Sequence, residues 1–212
     1  MPETVQLAEL LCARLCHDLG GTIGILSGAL ELARRAERDD RLADAIEASD
    51  ALSNRLRVLR AAWGPGGARL DAARLRELAA GLPGQDRVRL DLDALPRGTQ
   101  FGPALGRMLL NLLAFAPEVL PRGGAVVLAP VDATAVVARL SGMRAAWPAG
   151  FAGYLNDPAA ARAALAAPRA LLGPWLALLA PRLGVALSLL LPTGTGRGNG
   201  PAPLLLRGPA EA

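Results

Sequence analysis

Two runs of apolar residues within positions 7–63 recur at alternating steps of three and four, and no other feature constrains the fold as strongly. The first run lies in LAELLCARLCHDLGGTIGILSGALELARR and comprises Cys12, Cys16, Leu19, Ile23, Leu26, Leu30 and Ala33. The second comprises Leu42, Ile46, Ser49, Leu52, Leu56, Leu59 and Trp63. This repeat is typical of helices that pack side by side. Because only the short charged segment ERDD separates them, the two helices are predicted to form an antiparallel hairpin.

A single hairpin would leave apolar surface uncovered, because four further residues widen the first face: Leu11, Leu15, Ile25 and Leu32. A second copy of the chain would cover this surface by forming a dimeric four-helix bundle, which is the more economical prediction. Packing of the hairpin against the remainder of the same chain is the competing arrangement.

The segment GPGG at 64–67 is a linker by composition. It divides the chain into a predicted helical hairpin, residues 1–64, and a second domain, residues 65–212. In the second domain, helices are predicted over 71–82, 103–120 and 158–182, and strands over 87–92, 125–132, 135–140, 184–191 and 201–208. This alternation predicts an α+β fold, an α/β sandwich in which helices cover one face of a mixed sheet. The glycine-rich residues 194–200 are predicted to form a hairpin tip.

The charge balance restricts the classes of partner. All 23 basic residues are arginine, and the formal net charge is +4. A basic surface favours acidic partners through long-range attraction. Because only 3% of residues are aromatic and the arginines are scattered, no stacking platform for nucleic acid is expected.

The apolar segments do not predict a membrane protein. The most apolar one, residues 170–191, is interrupted by Pro174, Pro181 and Arg182, whereas a membrane span needs about 20 continuous apolar residues. The first ten residues carry two acids and no basic side chain, unlike a secretory signal. The chain is therefore predicted to be cytoplasmic.

The two cysteines, Cys12 and Cys16, lie one helical turn apart, where a disulfide would constrain nothing. A metal site would need more ligands than the single histidine of the chain suggests. Both cysteines are therefore predicted to be small, buried apolar side chains.

His17, that single histidine, is predicted to lie on the exposed flank of the first helix. Small residues line the same side just beyond it: Gly20, Gly21, Gly24, Ser27 and Gly28. Each glycine costs about 1 kcal/mol relative to alanine inside a helix. The glycines would clear side chains from a strip onto which another protein could dock, with Arg14 at its rim. Packing inside a dimer, or a compositional drift of the genome toward glycine, alanine and arginine, are the alternative explanations.

An exposed neutral imidazole is a competent nucleophile that can carry a covalent group on one nitrogen. Asp18, the next residue, could accept a hydrogen bond from the other ring nitrogen and so fix the tautomer. His17 and Asp18 are therefore candidate catalytic residues, and an ordinary surface histidine beside an unrelated carboxylate is the alternative.

Two motifs resemble a known family. CHDLGGTIGILSGALEL resembles the phosphoacceptor helix of histidine kinases, and more closely that of ChpT-type histidine phosphotransferases. RMLLNLLAFAPEVLPRGG, roughly a hundred residues later, resembles a second segment of the same family. The resemblance implies a homodimer with a four-helix bundle, followed by a domain folded like a kinase ATP-binding domain that no longer binds ATP. It also implies that His17 receives a phosphoryl group from the receiver domain of a hybrid histidine kinase and passes it to response regulators.

In this interpretation the chain has no cofactor of its own, and the partner receiver domain supplies Mg²⁺. A diverged kinase is one alternative. Asn111 matches the first position of the kinase Asn-box, but Phe115 replaces its second asparagine, and Leu140 and Arg144 replace the acid and the last glycine of Asp-x-Gly-x-Gly. These replacements predict that the chain has no autokinase activity. A non-catalytic dimeric scaffold is the other alternative.

Overall fold

The computed structural model describes residues 3–35, 39–165, 171–191 and 200–210. The helices are α1 (Glu3–Arg35), α2 (Asp39–Trp63), α3 (Ala72–Ala80), α4 (Pro103–Val119), α5 (Phe151–Asn156), α6 (Pro158–Ala163) and α7 (Leu172–Arg182). The strands are β1 (Leu70–Asp71), β2 (Val88–Asp91), β3 (Gln100–Phe101), β4 (Gly124–Asp132), β5 (Ala135–Ser141), β6 (Ala186–Leu189) and β7 (Leu204–Arg207). The predicted α+β fold is confirmed. The division at residue 64 into two domains and the pairing of two hairpins stay predictions.

The main sheet has the strand order β2-β4-β5-β7-β6, and it is mixed because β2 pairs with β4 in parallel while the other pairs are antiparallel. Alternate residues along β4, β5 and β7 point to one face, where they join α4 and α7 in the hydrophobic core. These core residues are Val126, Leu128, Val136, Ala138, Leu140, Leu204 and Leu206. The short strands β1 and β3 form a separate antiparallel pair.

Five segments differ from the sequence-based expectation, and two of them are the short strands β1 and β3, which were not predicted. The strand predicted to be buried, residues 184–191, is β6 at the edge of the sheet, where one side has no neighbouring strand. Its residues alternate between exposed and half-buried because successive side chains point to opposite faces of the sheet. The helix predicted over 158–182 is described as α6 and α7, separated by residues that include 166–170, outside the described part. The short helix α5 was not predicted. The predicted hairpin tip lies almost entirely outside the described residues, but β6 and β7, which it joins, are antiparallel neighbours.

The hairpin of α1 and α2 buries the sides on which the two helices face each other, including Ala29 and Ala45, and α2 also packs Val58 and Ala62 into the hydrophobic core. The prediction that Cys12 and Cys16 are buried is wrong for the single chain, because both are exposed. The physical reason is that the apolar face of α1 is wider than the surface one neighbouring helix can cover. Six large apolar side chains on the two helices are 43–55% exposed: Ile23, Leu30, Leu32, Leu42, Ile46 and Leu56. Within the described residues, no helix is both long and apolar enough to cross a membrane.

Candidate functional site

His17 lies near the middle of α1 and projects outward. Its side chain is 79% exposed, and Nδ1 is 3.2 Å from Oδ1 of Asp18, whose side chain is only 9% exposed. Because an ionised carboxylate only accepts hydrogen bonds, this contact favours the neutral tautomer with the proton on Nδ1. The described residues give Nε2 no hydrogen-bond partner, so its lone pair faces solvent.

Arg14 holds the Asp18 carboxylate from the other side. Nε of Arg14 donates to Oδ2 of Asp18 at 3.0 Å, and its Nη1 lies 3.5 Å from Oε1 of Glu118 in α4. The Arg14 side chain is only 18% exposed. The structure places the Arg14 guanidinium between the carboxylates of Asp18 and Glu118, while its role at the rim of a docking surface stays a prediction. Burial raises the pKa of Glu118, and the nearby Arg14 charge opposes that rise.

Arg55 of α2 restrains the backbone at the same turn. Its Nη1 donates to the carbonyl oxygen of Asp18 at 3.1 Å, and its Nε donates to the carbonyl oxygen of Gly81 at 3.0 Å. Gly81 ends α3, and a Cβ there would lie 2.6 Å from the carbonyl oxygen of Asn54 in α2. Only glycine permits this close approach, so α3 comes near enough to α2 for Arg55 to bridge three helices.

The four glycines beyond His17 face open space. A Cβ built on Gly20, Gly21, Gly24 or Gly28 meets nothing within 4 Å outside the local helix backbone. Ile25, 67% exposed, lies four residues after Gly21 and three before Gly28, so it borders the glycines on the helix surface. The single chain therefore presents bare helix backbone flanked by an apolar side chain. Whether a partner docks there stays a prediction.

Asn111 is fully satisfied by protein groups. Its Oδ1 accepts from the indole N–H of Trp63 at 3.0 Å and from that of Trp175 at 2.9 Å. Its Nδ2 donates to the carbonyl oxygens of Ala62 at 3.1 Å and Arg107 at 2.9 Å. The side chain is thus buried with all four hydrogen bonds made, and it caps the C-terminal end of α2.

The other positions compared with the kinase motifs, Phe115, Leu140 and Arg144, also have structural roles. Phe115 is fully buried in an aromatic cluster, with its ring centroid 6.1 Å from that of Trp147 and 5.4 Å from that of Phe151. Leu140 is a core residue of β5. Arg144 has φ of 62°, the left-handed conformation that glycine adopts without strain. Arg144 therefore stands in a turn whose backbone conformation favours glycine.

Residues 72–193, more than half of the chain, match the family described as "Histidine phosphotransferase C-terminal domain". The chain belongs to the histidine phosphotransferase family. Protein phosphotransferase ChpT of Brucella abortus (strain 2308) is 26% identical over 134 residues, which are 59% of this chain and 61% of the relative. The chain therefore spans about three fifths of the length of the curated relative that it matches.

A solved structure described as "1.7 Angstrom Structure of a Bacterial Phosphotransferase" shares the fold of this chain. It is 23% identical, covers 95% of both chains and superimposes with a TM-score of 0.65. The predicted resemblance to ChpT-type histidine phosphotransferases is thereby confirmed.

Sequence reasoning missed Glu118, Arg55 and Arg107 as partners of the site. Glu118 carried one signal, because it and Arg107 are the charged residues of the otherwise apolar α4. A charge on such a helix usually has a partner. Nothing local pointed to Arg14 as that partner, since it lies 104 residues away in sequence.

Proposed function

We propose that this chain is a phosphorelay histidine phosphotransferase that carries a phosphoryl group on Nε2 of His17. The observation that supports the proposal most directly is an outward imidazole whose Nδ1 contacts the nearly buried carboxylate of Asp18. The group arrives from the phosphoaspartate in the receiver domain of a hybrid histidine kinase. It leaves to the aspartate of a response regulator.

The transfer needs little covalent chemistry from this chain. The Nε2 lone pair forms a bond to phosphorus while the bond from phosphorus to the receiver's aspartyl oxygen breaks, and that oxygen keeps the electron pair. The proton on Nδ1 stays in place, so the ring becomes positively charged, and the carboxylate of Asp18 stabilises that charge. Catalysis then depends on alignment of the reacting atoms and on charge neutralisation.

Docking is proposed to use the bare strip of α1 beyond His17. With no side chain at Gly21, Gly24 or Gly28, a receiver helix approaches the backbone of α1 closely. Ile25 then offers an apolar contact beside the strip. The receiver's acidic pocket holds Mg²⁺, which neutralises the transferring oxygens. The net charge of +4 on this chain attracts that acidic partner, so transfer slows as salt rises.

The proposed active form is a homodimer. Exposed apolar residues of α1 and α2, including Ile23, Leu30, Leu42 and Leu56, would be covered in a four-helix bundle of two hairpins. The double variant Ile23→Asp and Leu30→Asp should run as a monomer in light scattering. Val131→Asp, at a residue 52% exposed on β4, is the control that stays dimeric. A monomeric wild type, or a dimeric double variant, would contradict this arrangement.

The chain is proposed to bind no ATP. Asn111 has no free donor or acceptor for a metal or a nucleotide, because two indoles and two carbonyls use its full capacity. Phe115 fills the position of the second box asparagine with a buried ring. These contacts support a structural role for the residues that resemble the kinase motif.

The test compares two phosphoryl donors: labelled ATP alone, and a receiver domain charged with radiolabelled acetyl phosphate. Acid-labile label obtained only from the receiver, and lost in His17→Ala, supports the proposal. Ala13→Ser, at an exposed position one turn earlier on α1, is the control that keeps the label. Label from ATP alone would indicate a diverged kinase. Absence of label from both donors would indicate a non-catalytic dimeric scaffold.

A further inference from the structure

We propose that Arg14 is a positioning residue through which the C-terminal domain sets the reactivity of His17. Arg14 connects Glu118 at the end of α4 to Asp18, and Asp18 in turn contacts the imidazole. This inference rests on the proposed function, because it assumes that His17 is the phosphoacceptor. It adds a role for the domain that does not carry His17.

Both carboxylate oxygens of Asp18 contact protein side chains. Oδ1 lies 3.2 Å from Nδ1 of His17, and Oδ2 accepts from Nε of Arg14 at 3.0 Å. A carboxylate held at one oxygen only can rotate about its last bond and lose alignment with the ring. Because Asp18 is just 9% exposed, water has little access to replace a lost guanidinium contact.

Arg14 is itself held by the other domain. Its Nη1 lies 3.5 Å from Oε1 of Glu118, a side chain that is 26% exposed. Glu118 follows Pro117, which has no N–H, so the carbonyl of Leu113 lacks its usual partner within the helix. Nε2 of Gln85 donates to that carbonyl at 3.2 Å. The last turn of α4 is therefore anchored independently of α1.

The backbone beneath the two side chains is also held. Arg55 ties the carbonyl of Asp18 to the carbonyl of Gly81 at the end of α3. The turn of α1 that carries His17 is thus fixed twice to the C-terminal domain, once through side chains and once through its backbone. Such restraint lowers the conformational entropy lost when the reacting atoms align.

The consequence is chemical. As the Nε2–phosphorus bond forms, the ring gains positive charge, and a carboxylate fixed at Nδ1 stabilises that charge without having to move. Loss of Arg14 leaves His17 in place but frees Asp18. We expect a fall in the rate of phosphorylation with an unchanged affinity for the docking partner.

The test uses potassium phosphoramidate, a small donor that needs no docking surface. In this reaction the Nε2 lone pair bonds to phosphorus, the phosphorus–nitrogen bond of the donor breaks, and ammonia leaves after taking a proton from water. The rate of phosphohistidine formation is measured by phosphorus NMR. Arg14→Gln should slow it about tenfold, the lower end of losses seen when a supporting contact is removed. Glu118→Gln should slow it less, because the direct Arg14–Asp18 contact remains.

Arg57→Gln is the matched control, since Arg57 is an exposed arginine of α2 that bonds only to the neighbouring Asn54. Nitrogen NMR of the His17 ring gives the second readout. We expect Nδ1 protonated in the neutral wild type and a mixture of tautomers in Arg14→Gln. Arg14→Lys, which keeps the charge, should restore part of the rate.

The two proposals fail in different ways. A wild type labelled at His17, with Arg14→Gln and Glu118→Gln matching it in rate and tautomer, would overturn the positioning role alone. A wild type that phosphoramidate and the charged receiver both leave unlabelled would overturn the proposed function itself. Rates are compared per folded molecule. If Arg14→Gln fails to fold, Glu118→Gln, which keeps the side-chain shape, still tests the same series of contacts.

Discussion

Replacing the four glycines beyond His17 by alanine tests their effect on helix stability and their effect on docking in separate measurements. The residues are Gly20, Gly21, Gly24 and Gly28, all inside α1, and an added methyl meets no atom within 4 Å outside the local helix backbone at any of them. The quadruple alanine variant therefore adds no clash within the chain. It removes the conformational freedom that makes glycine unfavourable in a helix.

The expected stabilisation can be worked out from helix propensity. Each replacement contributes about 1 kcal/mol, so the four together raise the free energy of unfolding by about 4 kcal/mol at most. For a chain of 150–250 residues, 1 kcal/mol corresponds to a Tm change of about 2–4 °C. The quadruple variant should melt about 8–16 °C higher at equal protein concentration.

The same methyl groups should impair transfer from a receiver domain. If the partner helix packs on the bare backbone, overpacking costs about 1–3 kcal/mol, which raises KM about fivefold to 150-fold. Phosphorylation by phosphoramidate, which needs no docking, should be unchanged. The matched control is Gly153→Ala in α5, another helical glycine with no atom within 4 Å of an added methyl. It should raise Tm without changing KM.

Two results would refute different parts of this hypothesis. A variant that melts higher yet receives the phosphoryl group with unchanged KM would show that the strip does not contact the partner. A variant that melts lower, or loses its dimeric state in light scattering, would show that the glycines pack inside the dimer. That second result would support the alternative explanation based on dimer packing.

Asn111→Ala leaves the indole N–H groups of Trp63 and Trp175 without their acceptor, so it should lower the free energy of unfolding by about 3 kcal/mol in urea denaturation, and an unchanged midpoint would contradict the structural role of Asn111. Arg144→Gly relieves a left-handed φ of 62° and should raise stability by about 1 kcal/mol in the same assay; a loss would show that the side chain contributes more than the strain costs. Burial raises the pKa of Glu118, so the native state binds its proton more tightly than the unfolded chain, and stability falls as pH rises through that pKa. Glu118→Gln cannot titrate, so its stability relative to wild type should increase from acid to neutral pH; a constant difference would contradict the assigned cause.

The sequence predicted the elements of the fold better than their surroundings. Heptad spacing identified α1 and α2, and alternation identified β2, because these periods depend on local geometry alone. Periodicity does not say which neighbour covers an apolar face. Cys12 and Cys16 belong to the heptad seam but are exposed in the single chain, since α2 packs on another side of α1. The edge position of β6 was missed for the same reason, because strand order depends on contacts distant in sequence.

In the candidate site too, local features could be predicted from the sequence and contacts between distant residues could not. The exposed position of His17 and the adjacent carboxylate follow from helix geometry, so they could be predicted from the sequence. The contacts from Arg14 to Glu118 and from Asn111 to Trp175 join residues 104 and 64 positions apart, and no local pattern encodes them. Sequence matching marked Asn111 as the remnant of a nucleotide box, whereas its four hydrogen bonds make it a cap for α2.

The C-terminal domain contacts the hairpin at two places with different consequences. Asn111 and Arg107 hold the end of α2 through its last carbonyls, and this contact maintains the relative position of the two parts. Arg14 and Arg55 act one turn from the imidazole, where a small displacement changes the alignment of Asp18. If the domain only stabilised the hairpin, Asn111→Ala and Arg14→Gln would affect folding alike and leave the reactivity of folded His17 unchanged. A rate per folded molecule that falls in Arg14→Gln, but not in Asn111→Ala, would show that one domain serves both purposes through separate contacts.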